Sequence, residues 1–313
     1  MVGLIVKRFM QMILLLVGVS IIVFLSMHLA PGDPALIIAG PEATQESVEQ
    51  IRENLGLNDP IYVQYWSYIT GVLQGDFGYS YQTSQDVGHA LLIRFPNTVK
   101  LAIASVFVAT ILGVAMGVIS ALKQNTWADY TSTTVALAGV SIPNFWLGAV
   151  LILVFSVSLQ WLPVGGMNAP WYTLQGLKEL ILPAITLGTA SAAMIARMTR
   201  SAMLEVISSD YIRTARAKGI KEKYVIMLHC FRNAMIPVIT LVGLNFGFLL
   251  GGTVIVEQVF AINGVGRLMI NAISQRDFPM VQGGVLIIAA LFVFVNLIVD
   301  ILYILIDPRI TYE

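Results

Sequence analysis

Groups able to do catalysis are scarce in this chain and poorly placed for it. The three histidines, His28, His89 and His229, lie far apart, and Cys230 is the only cysteine, so neither a metal site nor an internal disulfide can be built from them. No Gly-x4-Gly-Lys-Ser/Thr phosphate loop, His-Glu-x-x-His, Gly-x-Ser-x-Gly or Cys-x-x-Cys occurs. Gly264-Val265-Gly266 lacks the third glycine of a dinucleotide-binding turn. The expectation is no catalytic residue, no metal and no cofactor within the chain. The polar groups that stand out are instead those set in apolar surroundings: Asn144 directly after Pro143, Asn245, Glu257 and Asp300. Glycines recur at four-residue spacing at Gly243, Gly247 and Gly251, and again at Gly113 and Gly117. Such a row lets helices approach closely. Pro143-Asn144 and Asn245 can either break the helices that hold them or, with Glu257 and the 243–251 row, line a translocation path. Glu257 also fits an ordinary charge at the membrane surface. An aspartate at mid-span costs about 2.5–3.5 kcal/mol and less near a helix end, so Asp300 is expected to face protein or water. A proton relay needs more than one such group.

Composition names the solvent in which these residues are held. Of 313 residues 57% are apolar and 12% charged, against about 45–50% and about 25% in an average soluble domain. Mean hydropathy is +0.80. The net charge of zero gives no reason to expect nucleic acid. So much apolar surface calls for lipid. Six stretches approach or exceed the roughly 20 residues that cross a bilayer core: 9–30, 101–122, 133–159, 180–196, 233–256 and 281–306. The first is longer than a signal-peptide core and has no convincing small-x-small cleavage site, so it reads as a retained anchor. Six spans put both termini on one side. Assigning that side to the cytoplasm places twelve of the 18 Lys and Arg inside and six outside, as the positive-inside rule requires.

The expected organisation is a tail and first span over 1–30, an extracytoplasmic helical region over 31–97, and a core of five spans over 98–313. The external region carries eight acidic and two basic residues. Thr44 can cap a helix over 45–55 that Gly56 stops, Asp59-Pro60 starts a second, and Ser84 starts a third through Ile93. It reads either as a connecting loop with surface helices or as a dock for an external partner. On the inner side, 199–232 predicts a basic helix–turn–helix. Ser208 or Ser209 caps a helix over 210–218, Gly219 is the left-handed stop, and a second helix runs over 221–231. It reads either as interfacial helices or as a rigid knob that passes force into the two spans it joins.

Asp210-Tyr211-Ile212-Arg213-Thr214-Ala215-Arg216-Ala217-Lys218-Gly219 resembles the coupling-loop motif of binding-protein-dependent ATP-binding-cassette importers, Glu-Ala-Ala-x3-Gly-x9-Ile-x-Leu-Pro. Ala215 and Gly219 keep the second alanine and the glycine. Arg213 and Thr214 replace Glu-Ala, His229 the isoleucine, and Phe231-Arg232 the Leu-Pro, departures similar to the peptide/nickel branch. Pro31-Gly32-Asp33-Pro34, Gly56-Leu57, Gly75-Asp76-Phe77-Gly78, Arg232-Asn233-Ala234, Gly264-Val265-Gly266-Arg267 and Asp307-Pro308-Arg309-Ile310 extend the likeness over nearly the whole chain. The resemblance implies an all-α polytopic membrane protein of the type I importer permease fold, in the cytoplasmic (inner) membrane of a bacterium or archaeon. It implies as partners a second homologous permease, two ATP-binding subunits that carry ATP and Mg, and an extracytoplasmic solute-binding protein. Coupling to the ATPase would rest on Asp210, Tyr211, Arg213, Thr214, Ala215, Arg216, Ala217, Lys218 and Gly219. The implied substrates are small peptides of the dipeptide, oligopeptide or glutathione class, or a nickel chelate. The rival class is a stand-alone secondary transporter, which usually carries an inverted repeat; none is clear here.

Overall fold

The computed structural model describes the backbone of residues 2–29, 33–40, 42–80 and 82–306, and their side chains except those of 2–5 and 300–306. The side chain of Asp300, the Pro31-Gly32 pair and the Asp307-Pro308-Arg309-Ile310 ending lie outside the described residues. In chain order the elements are α1 (Val2–Leu29), α2 (Pro34–Ala39), α3 (Gln45–Asn54), α4 (Ile61–Leu73), β1 (Tyr79–Ser80), β2 (Gln85–Asp86), α5 (Val87–Leu122), α6 (Trp127–Ser141), α7 (Asn144–Leu151), α8 (Leu174–Ile207), α9 (Asp210–Ala217), α10 (Glu222–Tyr224), α11 (Arg232–Val259), α12 (Val265–Ser274) and α13 (Phe278–Ile306). Two π-helical stretches, Ile152–Ser158 and Val225–Phe231, continue α7 and join α10 to α11. Among the described residues five helices are long and apolar enough to cross a membrane, or six crossings if the bent pair Trp127–Ser141 and Asn144–Ser158 is one span.

The chain forms two compact units. One comprises Met1–Pro96 and Gly264–Phe294. Within it α3 begins as expected, Thr44 accepting from the amide of Ser47 at 3.3 Å, and Gly56 at φ +63° stops it. The expected start at Asp59-Pro60 differs by a residue: Pro60 precedes α4 and no side chain caps that end. The two-residue strands pair antiparallel, Tyr79 opposite Asp86, and Ser80 donates to the carboxylate of Asp277. The separate third helix expected over 84–93 does not exist. β2 runs straight into α5, whose 36 residues pass through Pro96. Pro96 removes one i→i−4 bond, but the helix runs on through it.

The other unit comprises Asn97–Asn263 and Val295–Glu313. The stretch expected as one span over 133–159 is two helical arms, Trp127–Ser141 and Asn144–Ser158, bent by 106°. The cause is local: Pro143 pushes the residue before it out of the helical region, and Ile142 sits at φ −83°, ψ 124°. The fourth span is twice the expected length, because α8 carries Lys178, Glu179, Arg197 and Arg200 beyond its apolar run. It forms the centre of the unit: 67% of its apolar window is buried, against at most 33% in the other long helices. Small residues make this possible. A Cβ placed on Gly113 would meet the Ala192 carbonyl oxygen at 2.6 Å, and one on Gly117 would meet Thr199 Cβ at 2.5 Å. Hence α5 lies directly on α8, as the glycine spacing predicts. The row in α11 does not behave as one seam. Gly243 faces Val299, Gly247 is buried, and Gly251 has nothing within 4 Å of a built Cβ.

Candidate functional site

The basic helix–turn–helix expected over 199–232 exists, with two differences. Ser209 stands at the start of α9 but does not cap it, since its hydroxyl donates back to the Val206 carbonyl at 2.6 Å. The second helix is not a separate element either. A single turn of α10 passes through the π-helical stretch into α11 without a break.

The candidate residues form one eight-residue helix and its stop. Ile212 and Ala215 face inward, in a cluster with Met203, Val225, Cys230 and Ala234. Asp210, Arg213, Thr214, Ala217 and Lys218 are exposed, with Arg213 paired to Asp210 at 3.2 Å. Gly219 stops the helix at φ +77°. Its amide donates to the Arg216 carbonyl at 2.9 Å and that of Ile220 to the Ala215 carbonyl at 3.4 Å, the paired bonds of a left-handed helix stop.

Two side-chain bridges then tie α9 to α10 and α11. Arg216 grips Glu222 of α10 through two nitrogens, at 2.7 and 3.1 Å. That carboxylate raises the Arg216 guanidinium above its ordinary value, chiefly through the hydrogen bond. Asn233, in the first turn of α11, donates to the hydroxyl of Tyr211 at 2.8 Å. Ala215 is thus an anchor, Tyr211 and Arg216 are exposed struts, and the other five exposed side chains are free to meet another surface. The arrangement is a short bar fixed at both ends, α8 entering and α11 leaving.

The residues expected to line a path are dispersed. Asn144 opens α7 and is half-buried, and Gly251 is exposed. Asn245 is buried and spans two helices, donating to the Leu241 carbonyl at 2.9 Å and accepting from Ser191 of α8 at 3.5 Å. Gly247 is buried as well. Glu257 corrects the expectation of a surface charge: it is wholly buried and accepts from Thr98 at 2.7 Å. Asn245 and Glu257 are thus each bonded to a neighbouring helix, α8 and α5.

Sequence reasoning missed one constellation. Arg200 of α8 reaches both carboxylate oxygens of Asp129 in α6, at 2.9 and 2.8 Å, and the hydroxyl of Ser120 in α5 at 2.9 Å. Ser120 also donates to Asp129. A signal was present: Asp129 is the only acidic residue between Asp86 and Glu179, and an isolated carboxylate at a span end calls for a cation.

Residues 113–312 match the family described as "Binding-protein-dependent transport system inner membrane component", and residues 1–102 match its N-terminal region. The chain belongs to this family. The permease is 46% identical over 313 residues, all of both chains, to the glutathione transport system permease protein GsiC of Escherichia coli strain K12, and equally to that of Shigella dysenteriae serotype 1. Among solved structures the MetNI methionine ABC transporter in inward-facing form matches it with TM-score 0.55 at 18% identity, over 69% of this chain and 96% of that one. That likeness speaks for the fold alone. The expected all-α polytopic membrane fold holds, and the chain is an ATP-binding-cassette importer permease. Membership of the family implies ATPase and substrate-binding partners.

Proposed function

We propose that this permease carries small peptides of the glutathione, dipeptide and oligopeptide class inward across the cytoplasmic membrane, with both of its termini in the cytoplasm. It pairs with a second homologous permease, takes cargo from an extracytoplasmic solute-binding protein, and is driven by two ATP-binding subunits that hold ATP and Mg. Full-length identity to a glutathione permease supports the substrate class. The observation that carries the mechanism is the bar α9. Its exposed residues meet the ATPase, and its buried and bonded ones pass the displacement to α8 and α11. Asp210, Arg213, Thr214, Ala217 and Lys218 make the contact; Tyr211, Ala215, Arg216 and Gly219 keep the bar rigid.

The test is purification in mild detergent, identification of the co-purifying chains, and reconstitution of the assembly with its binding protein in liposomes. The expected result is ATP-dependent uptake of glutathione or short peptides, and ATPase activity stimulated by the loaded binding protein. Uphill transport by this chain without companions would overturn the mechanism. Binding and uptake of a nickel chelate to the exclusion of peptides would overturn the substrate class.

A further inference from the structure

A cavity of about 480 Å³ lies where α5, α6 and the last third of α8 meet. Its floor is apolar, with Met116, Ala136 and Ala196. Its charged wall is Asp129, Arg197 and Arg200. Arg200 gives Nε and Nη2 to Asp129, so that pair is neutral. Arg197, one turn earlier on α8, is exposed and makes no ion pair or hydrogen bond among the described residues. The wall therefore carries one uncompensated positive charge.

Depth in the bilayer narrows the choice of ligand. Arg197 stands where the apolar run of α8 ends. Across the cavity, the first turn of α6 presents Trp127 and Tyr130, 85% and 59% exposed. Exposed aromatic side chains at a span end mark the headgroup layer. Counting Lys and Arg puts this end on the cytoplasmic side, and the inference rests on that orientation. A cationic wall at headgroup depth over an apolar floor matches an anionic phospholipid, with phosphate against guanidinium and the start of an acyl chain against methyl groups.

We propose that this cavity holds the headgroup of an anionic phospholipid. Arg197 and the outward edge of Arg200 meet the phosphate, and Met116, Ala136 and Ala196 meet the first carbons of a chain. The lipid joins the three helices that the Ser120–Asp129–Arg200 cluster already links.

The test is native mass spectrometry of the delipidated transporter complex titrated with phosphatidylglycerol, phosphatidylcholine or inorganic phosphate. Phosphatidylglycerol is expected to be retained in preference to phosphatidylcholine. Arg197→Gln should weaken retention about fivefold, the worth of one basic side chain at an anionic surface, and Arg197→Lys should keep it. Ser132→Phe, on the cavity wall and neutral, should also weaken it by filling the space. Equal retention by wild type and Arg197→Gln would overturn the proposal, as would equal binding of the two lipids. Displacement of the lipid by inorganic phosphate at equal concentration would overturn the lipid as occupant.

Discussion

Gly219 separates two accounts of the cytoplasmic bar. A Cβ built on it meets nothing within 4 Å, so bulk is no obstacle there. Its φ of +77° is another matter. An alanine in the left-handed region costs about 1–2 kcal/mol, a factor of roughly 5–30 in the population of the correctly stopped helix. Asparagine is larger than alanine but visits that region with far less strain. Proline cannot adopt it at all, because its ring fixes φ near −65°. It also lacks the N–H that reaches the Arg216 carbonyl at 2.9 Å, worth about 0.5–1.5 kcal/mol net. Uptake and ATPase activity should therefore be measured on Gly219→Asn, Gly219→Ala and Gly219→Pro in the reconstituted assembly, at matched amounts of permease in the membrane. Uptake should fall in the order Asn, Ala, Pro, with ATP hydrolysis persisting in the proline variant. Loss that follows side-chain volume, with asparagine worse than alanine, would refute the conformational argument. Normal uptake by Gly219→Pro at normal expression would refute the coupling role of the bar.

Gly117→Val should lower thermal stability by the roughly 1–3 kcal/mol of an overpacked contact, because its side chain must displace Thr199 from a 2.5 Å approach; unchanged melting of the purified assembly would show that α5 and α8 are not held this tightly. Asp129→Asn should lower the melting temperature, and adding Arg200→Gln should cost less than the two single losses together, since each single change strands the other member of the cluster. Strict additivity would show the two residues to be independent. Asn245→Leu should reduce stability and leave the apparent KM for peptide unchanged; a shifted KM with intact stability would return Asn245 to the translocation path.

The range of the forces involved separates the features legible in the sequence from those hidden in it. Apolar length located the membrane helices. Thr44, Gly56 and Gly219 marked helix ends because capping and left-handed stops are decided within a few residues. Pro143-Asn144 left a break or a lined path open, and the 106° of bend depends on what the two arms pack against, Gly148 on Phe260 and Gly139 on Thr189. The π-helical stretch before α11 had no signal in residue type. Its reason is packing: Val225 and Cys230 are both wholly buried in one cluster with Ile212. Residues five apart are displaced by about 140° on an α-helix and by much less on a π-helix, so the wider turn lets both face the cluster. Glu257 was misjudged for a similar reason. Its position at a span end was legible, and its burial against Thr98, 159 residues away in sequence, was not.

Under the proposed mechanism, magnitudes decide how the bar responds to load. Turning α9 about its own axis would lift Ile212, now wholly buried, out of its cluster, at roughly 1.5–3 kcal/mol for the side chain. It would also break the bonds from Tyr211 to Asn233 and from Arg216 to Glu222. Translating α9 together with the end of α8 and the start of α11 breaks none of these, because Met203, Ile212, Val225 and Ala234 then travel as one cluster. Translation is the softer response, so a displacement applied at Asp210, Arg213 or Lys218 reaches both long helices at once. On α8 it meets Arg200, which is held to Asp129 and Ser120 within the same helical end. A pull on α8 is thereby shared with α5 and α6, and those helices are drawn along with α8.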